Sequence, residues 1–191
     1  SEVVNQLYAD CANDLMIDVP ALGNSYSPSF SVTNGTAIAG TRPGQVTIIP
    51  GSSGKTVIGV SSGGNRIGDV SYDIKPVPMP TIVPSTNQGP IDLSQGIAPI
   101  QTILIKAEAE PTFARTMARD AKFEVTGGEV TLVRSEVPRG SVPIGGSMRT
   151  LLESARPGDD IVVRVTQVTR TNFRGNKINS EYRQIIRLAV K

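Results

Sequence analysis

Lys75-Pro76-Val77-Pro78-Met79-Pro80 is the stretch on which the fold turns. Its three prolines, at alternate positions, each fix φ near about −65° and remove a backbone donor, so the run reads as a stiff, extended connector. Just before it, Val70, Tyr72 and Ile74 alternate with Ser71, Asp73 and Lys75, the period of a half-buried strand. Further upstream, residues 45–49 and 56–61 are β-branched runs separated by the turn cluster Pro50-Gly51-Ser52-Ser53-Gly54. Residues 15–19 and 30–32 complete a set of short strands spaced as in a small sandwich. No helical period competes in this half.

Downstream of the connector, Ile103, Ile105, Ala107 and Ala109 alternate with Thr102, Leu104, Lys106 and Glu108. Ala121, Phe123 and Val125 do the same, and Gly127-Gly128 then predicts a two-residue hairpin turn into residues 130–134. Residues 147–156 predict one helix: Met148, Leu151, Leu152 and Ala155 share a face, Ser147 can cap it, and Pro157-Gly158 stops it. Residues 161–169 and 182–190 predict a terminal hairpin around a loop at 169–180. The expected fold is mainly β: a first β-sandwich domain over 1–77 and a second β domain over 78–191, both small and Ig-like.

Composition removes most chemistry. With no His there is no Ser-His-Asp or Cys-His catalysis and no histidine metal site. A single cysteine, Cys11, excludes an internal disulfide and a thiolate zinc cage. Nineteen Gly and 14 Pro against 4 Tyr, 4 Phe and no Trp point to many turns and few sugar-stacking platforms. No apolar run approaches the roughly 20 residues that span a bilayer, and no signal peptide is visible at the N-terminus. The chain starts directly in strand-like sequence, as a piece of a longer protein or a processed mature protein does. Its formal net charge is +2, with an acidic excess before residue 78 and a basic excess after it. A basic face on the second domain would meet an acidic partner.

The remaining motifs have plain readings. Gly51-Ser52-Ser53-Gly54-Lys55-Thr56 resembles a phosphate loop, but Ile49 stands where that pattern needs Gly and a strand follows where it needs a helix, so a hairpin turn is expected. Glu108 and Glu110 fall on one solvent-facing strand side, and Asp159-Asp160 sits where turns favour Asp. Neither pair has the further oxygen ligands of a calcium loop. Asn34-Gly35-Thr36 fits a glycosylation sequon and also a favoured hairpin turn between residues 31–32 and 37–38. Cys11 reads as a small buried hydrophobe. Arg170-Thr171-Asn172-Phe173-Arg174-Gly175-Asn176-Lys177 is the candidate contact site: Arg170, Arg174 and Lys177 surround Phe173 at the tip of the terminal hairpin. No catalytic residue, cofactor site or metal site is predicted.

Taken in order, these features resemble the C-terminal periplasmic region of the GldM/PorM family of the type IX secretion and gliding machinery. The resemblance rests on Asn5-Gln6-Leu7-Tyr8-Ala9-Asp10-Cys11-Ala12-Asn13-Asp14-Leu15-Met16-Ile17, with Asn13-Asp14 where the family usually has Asn-Pro. It continues through residues 47–50, Gly54-Lys55, the strand 57–60 and the Pro-rich exit 75–80. The helix 147–156, Pro157-Gly158-Asp159 and the strands 161–168 and 182–190 follow in the family's order. The basic stretch 170–177 departs from the short Pro-Asp-Gly turn of relatives. The resemblance implies two tandem periplasmic β domains of a homodimer that couples an inner-membrane partner of the PorL/GldL type to outer-membrane-associated ring subunits of the PorK/PorN type. The transmembrane anchor and the contact with the inner-membrane partner would lie in parts of the protein that precede these domains. A rival reading from another class is a glycan-binding β-sandwich module of an adhesin or carbohydrate-processing protein.

Overall fold

The computed structural model describes residues 5–99 and 102–191. The chain forms two compact units, one of Ser1–Pro78 with Thr112–Asp120, the other of Met79–Pro111 with Ala121–Lys191. Strands are the main element of both.

In the first unit, β1 (Gln6–Tyr8), β3 (Pro28–Thr33), β6 (Lys55–Ser62) and β7 (Asn65–Lys75) form one sheet in the order β1-β7-β6-β3. β2 (Asn13–Met16), β4 (Gly35–Ala39) and β5 (Gln45–Pro50) form a second, ordered β2-β5-β4. β1 runs parallel to β7; the other pairs are antiparallel. Alternate residues of each sheet meet in one core: Leu7, Ile58 and Val60 from the first, Val46 and Ile48 from the second. Seven strands in two facing sheets make this the expected sandwich.

Two turns expected as hairpins instead carry the chain from sheet to sheet. Asn34, at φ 57°, leads from β3, which pairs with β6, into β4, which pairs with β5. Its side-chain amide donates to the carbonyls of Ser53 (2.9 Å) and Lys55 (3.0 Å), and its own carbonyl accepts from Gly51 N–H (3.0 Å) and Thr56 Oγ1 (2.8 Å). Asn34 thereby ties its own turn to the 51–54 turn, which likewise crosses between sheets, and its amide nitrogen is committed to structure. Asn-Gly favours left-handed backbone wherever it stands, so the dipeptide alone cannot separate a hairpin from a crossover.

A segment from beyond the connector completes this unit. Helix α1 (Pro111–Thr116) starts on a proline, which suits the first helical turn. It buries Phe113 completely, edge-on to the Tyr8 ring at 4.8 Å between centroids. Asp120 accepts the Ala12 N–H at 3.0 Å, and Arg119 pairs with Asp14 at 2.8 Å. Sequence periodicity did not predict α1, because only one of its six side chains is buried.

In the second unit, β8 (Thr81–Thr86), β9 (Gly89–Pro90) and β10 (Leu104–Glu108) form a sheet ordered β10-β8-β9. β11 (Lys122–Arg134), β12 (Val137–Pro143), β13 (Asp160–Thr171) and β14 (Lys177–Ala189) form the larger sheet, ordered β12-β11-β13-β14. Ile82 of β8 packs in one cluster with Val130, Leu132, Ile161, Val163 and Leu188, and Ile105 of β10 packs against it. α2 (Arg149–Glu153) adds Leu151 and Leu152 to the same core. It is shorter than the expected 147–156, and with α1 the sequence after the connector holds two short helices among the described residues, not one.

Gly127-Gly128 is not a turn. It lies inside the 13-residue β11, where the ladder to β13 steps out of register. Val125 and Val130 both face the core although they are an odd number of residues apart, so the backbone must slip by one between them. Gly128 has φ 138°, and a Cβ there would collide with the Arg164 carbonyl oxygen. The hairpin turn sits instead at Ser135 and Glu136, both left-handed at φ 50° and 63°, between the paired Arg134 and Val137.

Candidate functional site: the tip of the terminal hairpin

β13 and β14 continue further toward the tip than sequence periodicity suggests. They pair as far as Thr171 and Lys177, so the expected loop at 169–180 shrinks to residues 172–176. Asn172 organises this turn. Its carbonyl accepts from Gly175 N–H at 2.9 Å, its N–H donates to the Asn176 carbonyl at 2.9 Å, and its Oδ1 accepts the N–H groups of Arg174 (3.0 Å) and Asn176 (2.9 Å). Gly175, at φ 80°, closes it. A turn wired through one asparagine side chain holds its outer residues in place.

The structure brings together only part of the predicted site. The Arg174 guanidinium stands 5.0 Å from the centre of the half-buried Phe173 ring, within reach of a cation–π contact. Lys177 is exposed at the start of β14. Arg170 is not on the surface: it is only 6% exposed, opposite Phe123 and Ile178 in the ladder. The reason lies four residues earlier. Ile161, Val163 and Val165 face inward, and an unbroken alternation would turn Arg170 outward. The ladder slips at Val165/Gln167, Val168 becomes the next inward residue, and Arg170 follows it.

The carboxylates take structural places. Asp159 is buried and accepts a bidentate pair from Arg134, Nε at 2.8 Å and Nη2 at 2.7 Å, together with the Arg156 N–H at 2.8 Å. The Arg134 hydrogen bonds, with those from the Arg156 backbone and the charges of both arginines, outweigh burial and hold the Asp159 carboxyl at about 2. This pair closes the loop between α2 and β13. β10 ends at Glu108, so Glu110 lies outside the strand on which alternation had placed it. Among the described residues, no group of three or more His, Cys, Asp or Glu could hold a metal ion, and no helix is long and apolar enough to cross a membrane. Cys11 is fully buried.

Two tandem β-sandwich units, with an aromatic–arginine pair at the tip of the terminal hairpin, define the chain as a tandem β-sandwich protein. The model of the GldM third domain matches residues 1–75, and that of the GldM C-terminal domain matches residues 78–191. The chain belongs to the GldM family, and with it to the type IX secretion and gliding machinery. No curated protein matches it.

Proposed function

We propose that the chain is a non-enzymatic structural part of the type IX machinery that works in the periplasm. In this reading it belongs to a homodimer that links an inner-membrane partner of the PorL/GldL type to the outer-membrane-associated ring of PorK/PorN-type subunits. The observation that carries the reading is the pair of family matches, which together take in nearly the whole chain in the order third domain, then C-terminal domain. The site agrees with it. A half-buried aromatic beside an arginine can bury area on a partner while the cations of the tip, Arg174 and Lys177, select an acidic surface and speed association. The direct test is calorimetry of the purified chain against a PorN-type ring subunit, with a glycan array run beside it. Saturable binding to the ring subunit with no glycan bound is expected. Glycan binding without ring binding would overturn the reading in favour of a carbohydrate-binding module.

A further inference from the structure

A second basic feature lies in the same unit, away from the hairpin tip. A cavity of about 410 Å³ opens between β11, β12 and the end of α2, lined by Leu132, Arg134, Arg139, Glu153, Ala155 and Arg156 among others. Three arginines line it. Arg134 is neutralised by Asp159, which takes both of its forked hydrogen bonds and the Arg156 N–H as well. Glu153 is engaged by Arg149 at 2.8 Å. The side chains of Arg139 and Arg156 have no hydrogen-bond or ion-pair partner among the described residues. Arg139 and Arg156 therefore place two exposed cations on one cavity, Arg156 also lending its charge to Asp159.

Exposed cations on one cavity make its surface locally positive and favour an anion there. Each free guanidinium offers a planar fork of donors matched to a carboxylate. The cavity also has an apolar side, made by Leu132 and Ala155, which suits the methylene stem of an acidic side chain more than a bare inorganic ion. The geometry points to an anion-binding site that takes clustered Asp or Glu side chains of a partner protein, with Arg139 and Arg156 as its two contacts. This localises the basic excess of the second half of the chain at a place distinct from Phe173 and Arg174.

The test uses the whole chain and a six-glutamate peptide with an amidated C-terminus, titrated by calorimetry at low salt. Saturable binding is expected, and Arg139→Ala or Arg156→Ala should each weaken it by about tenfold or more. Arg139→Lys should recover part of the loss, because it restores charge without the fork. Arg66→Ala, in the first unit and outside both sites, should leave peptide binding unchanged. The absence of peptide binding, or equal loss in all three alanine variants, would overturn the assignment, since either means general charge and not a site. Inorganic phosphate that displaces the peptide at a lower concentration than free glutamate would also overturn it, in favour of a phosphate site. Circular dichroism of each variant separates lost binding from lost fold. Because the tip is left intact, this outcome is read separately from ring docking, which Phe173→Ala addresses.

Discussion

Gly128 and Gly175 both have positive φ, at 138° and 80°, yet they do different work. Gly175 sits in open space at a turn, so an alanine there meets only the backbone penalty of about 1 kcal/mol. At Gly128 a side chain would meet the Arg164 carbonyl and, at 2.8 Å, Ile144 Cδ1, in the centre of the largest sheet. Gly128→Ala should therefore destabilise the protein by about 2 kcal/mol or more and Gly175→Ala by clearly less, compared by urea midpoints. Asp159 makes a prediction about pH. Its folded carboxyl, held at about 2, lies below the roughly 3.9 of an unfolded Asp, so the stability it contributes is complete above about pH 4 and is lost as pH falls toward 2. Urea midpoints across that window should fall less steeply for Asp159→Asn than for the wild type, from a lower value at neutral pH. Equal slopes would mean that other carboxylates set the acid limit.

At the scale of elements, α1 is the part whose loss should be most local. Phe113 is fully buried against Tyr8, and truncating an aromatic of that kind costs about 3–5 kcal/mol. Phe113→Ala should raise hydrogen exchange in residues 6–16 and leave the ladder of β13 and β14 protected; uniform loss across both units would contradict the assignment of this helix to the first. The strands that sequence made legible are those with an unbroken period. β7 turns Val70 and Tyr72 toward the first core, and β10 turns Ile105 and Ala107 inward, as their alternation requires. What escaped were breaks in the period. Gly127-Gly128 looks like a turn in one dimension and is a slip within a strand in three. The matching slip in β13 hid Arg170 from view, so the candidate site was legible at Phe173 and Arg174 and misleading at Arg170. Ser135-Glu136 forms a tight turn at positive φ without the Gly, Asn or Asp that usually marks one. α1 has one core residue and hence no helical stripe, and it became visible only through the tertiary contacts of Phe113, Arg119 and Asp120.

For the molecule as a whole, the central claim is docking: a pair of β-sandwich units of the GldM family that meets a ring subunit through a basic hairpin tip. The near-neutral net charge of +2 gives no long-range attraction by itself, so steering must come from local clusters of cations. Affinity for the ring subunit should accordingly fall as salt rises, within the reach of a Debye length of about 8–10 Å. Asn172, which wires the turn, should matter through order: Asn172→Ala should weaken docking by less than removal of Phe173 and leave the melting temperature of the sheet nearly unchanged. The most direct measurement is the dissociation constant for a PorN-type ring subunit, in low salt, of the wild type and of the Phe173→Ala/Arg174→Ala double variant. The account predicts a loss of about 2 kcal/mol or more, roughly 30-fold, with the fold intact. An unchanged dissociation constant in the double variant would contradict it and move docking to another surface of the chain.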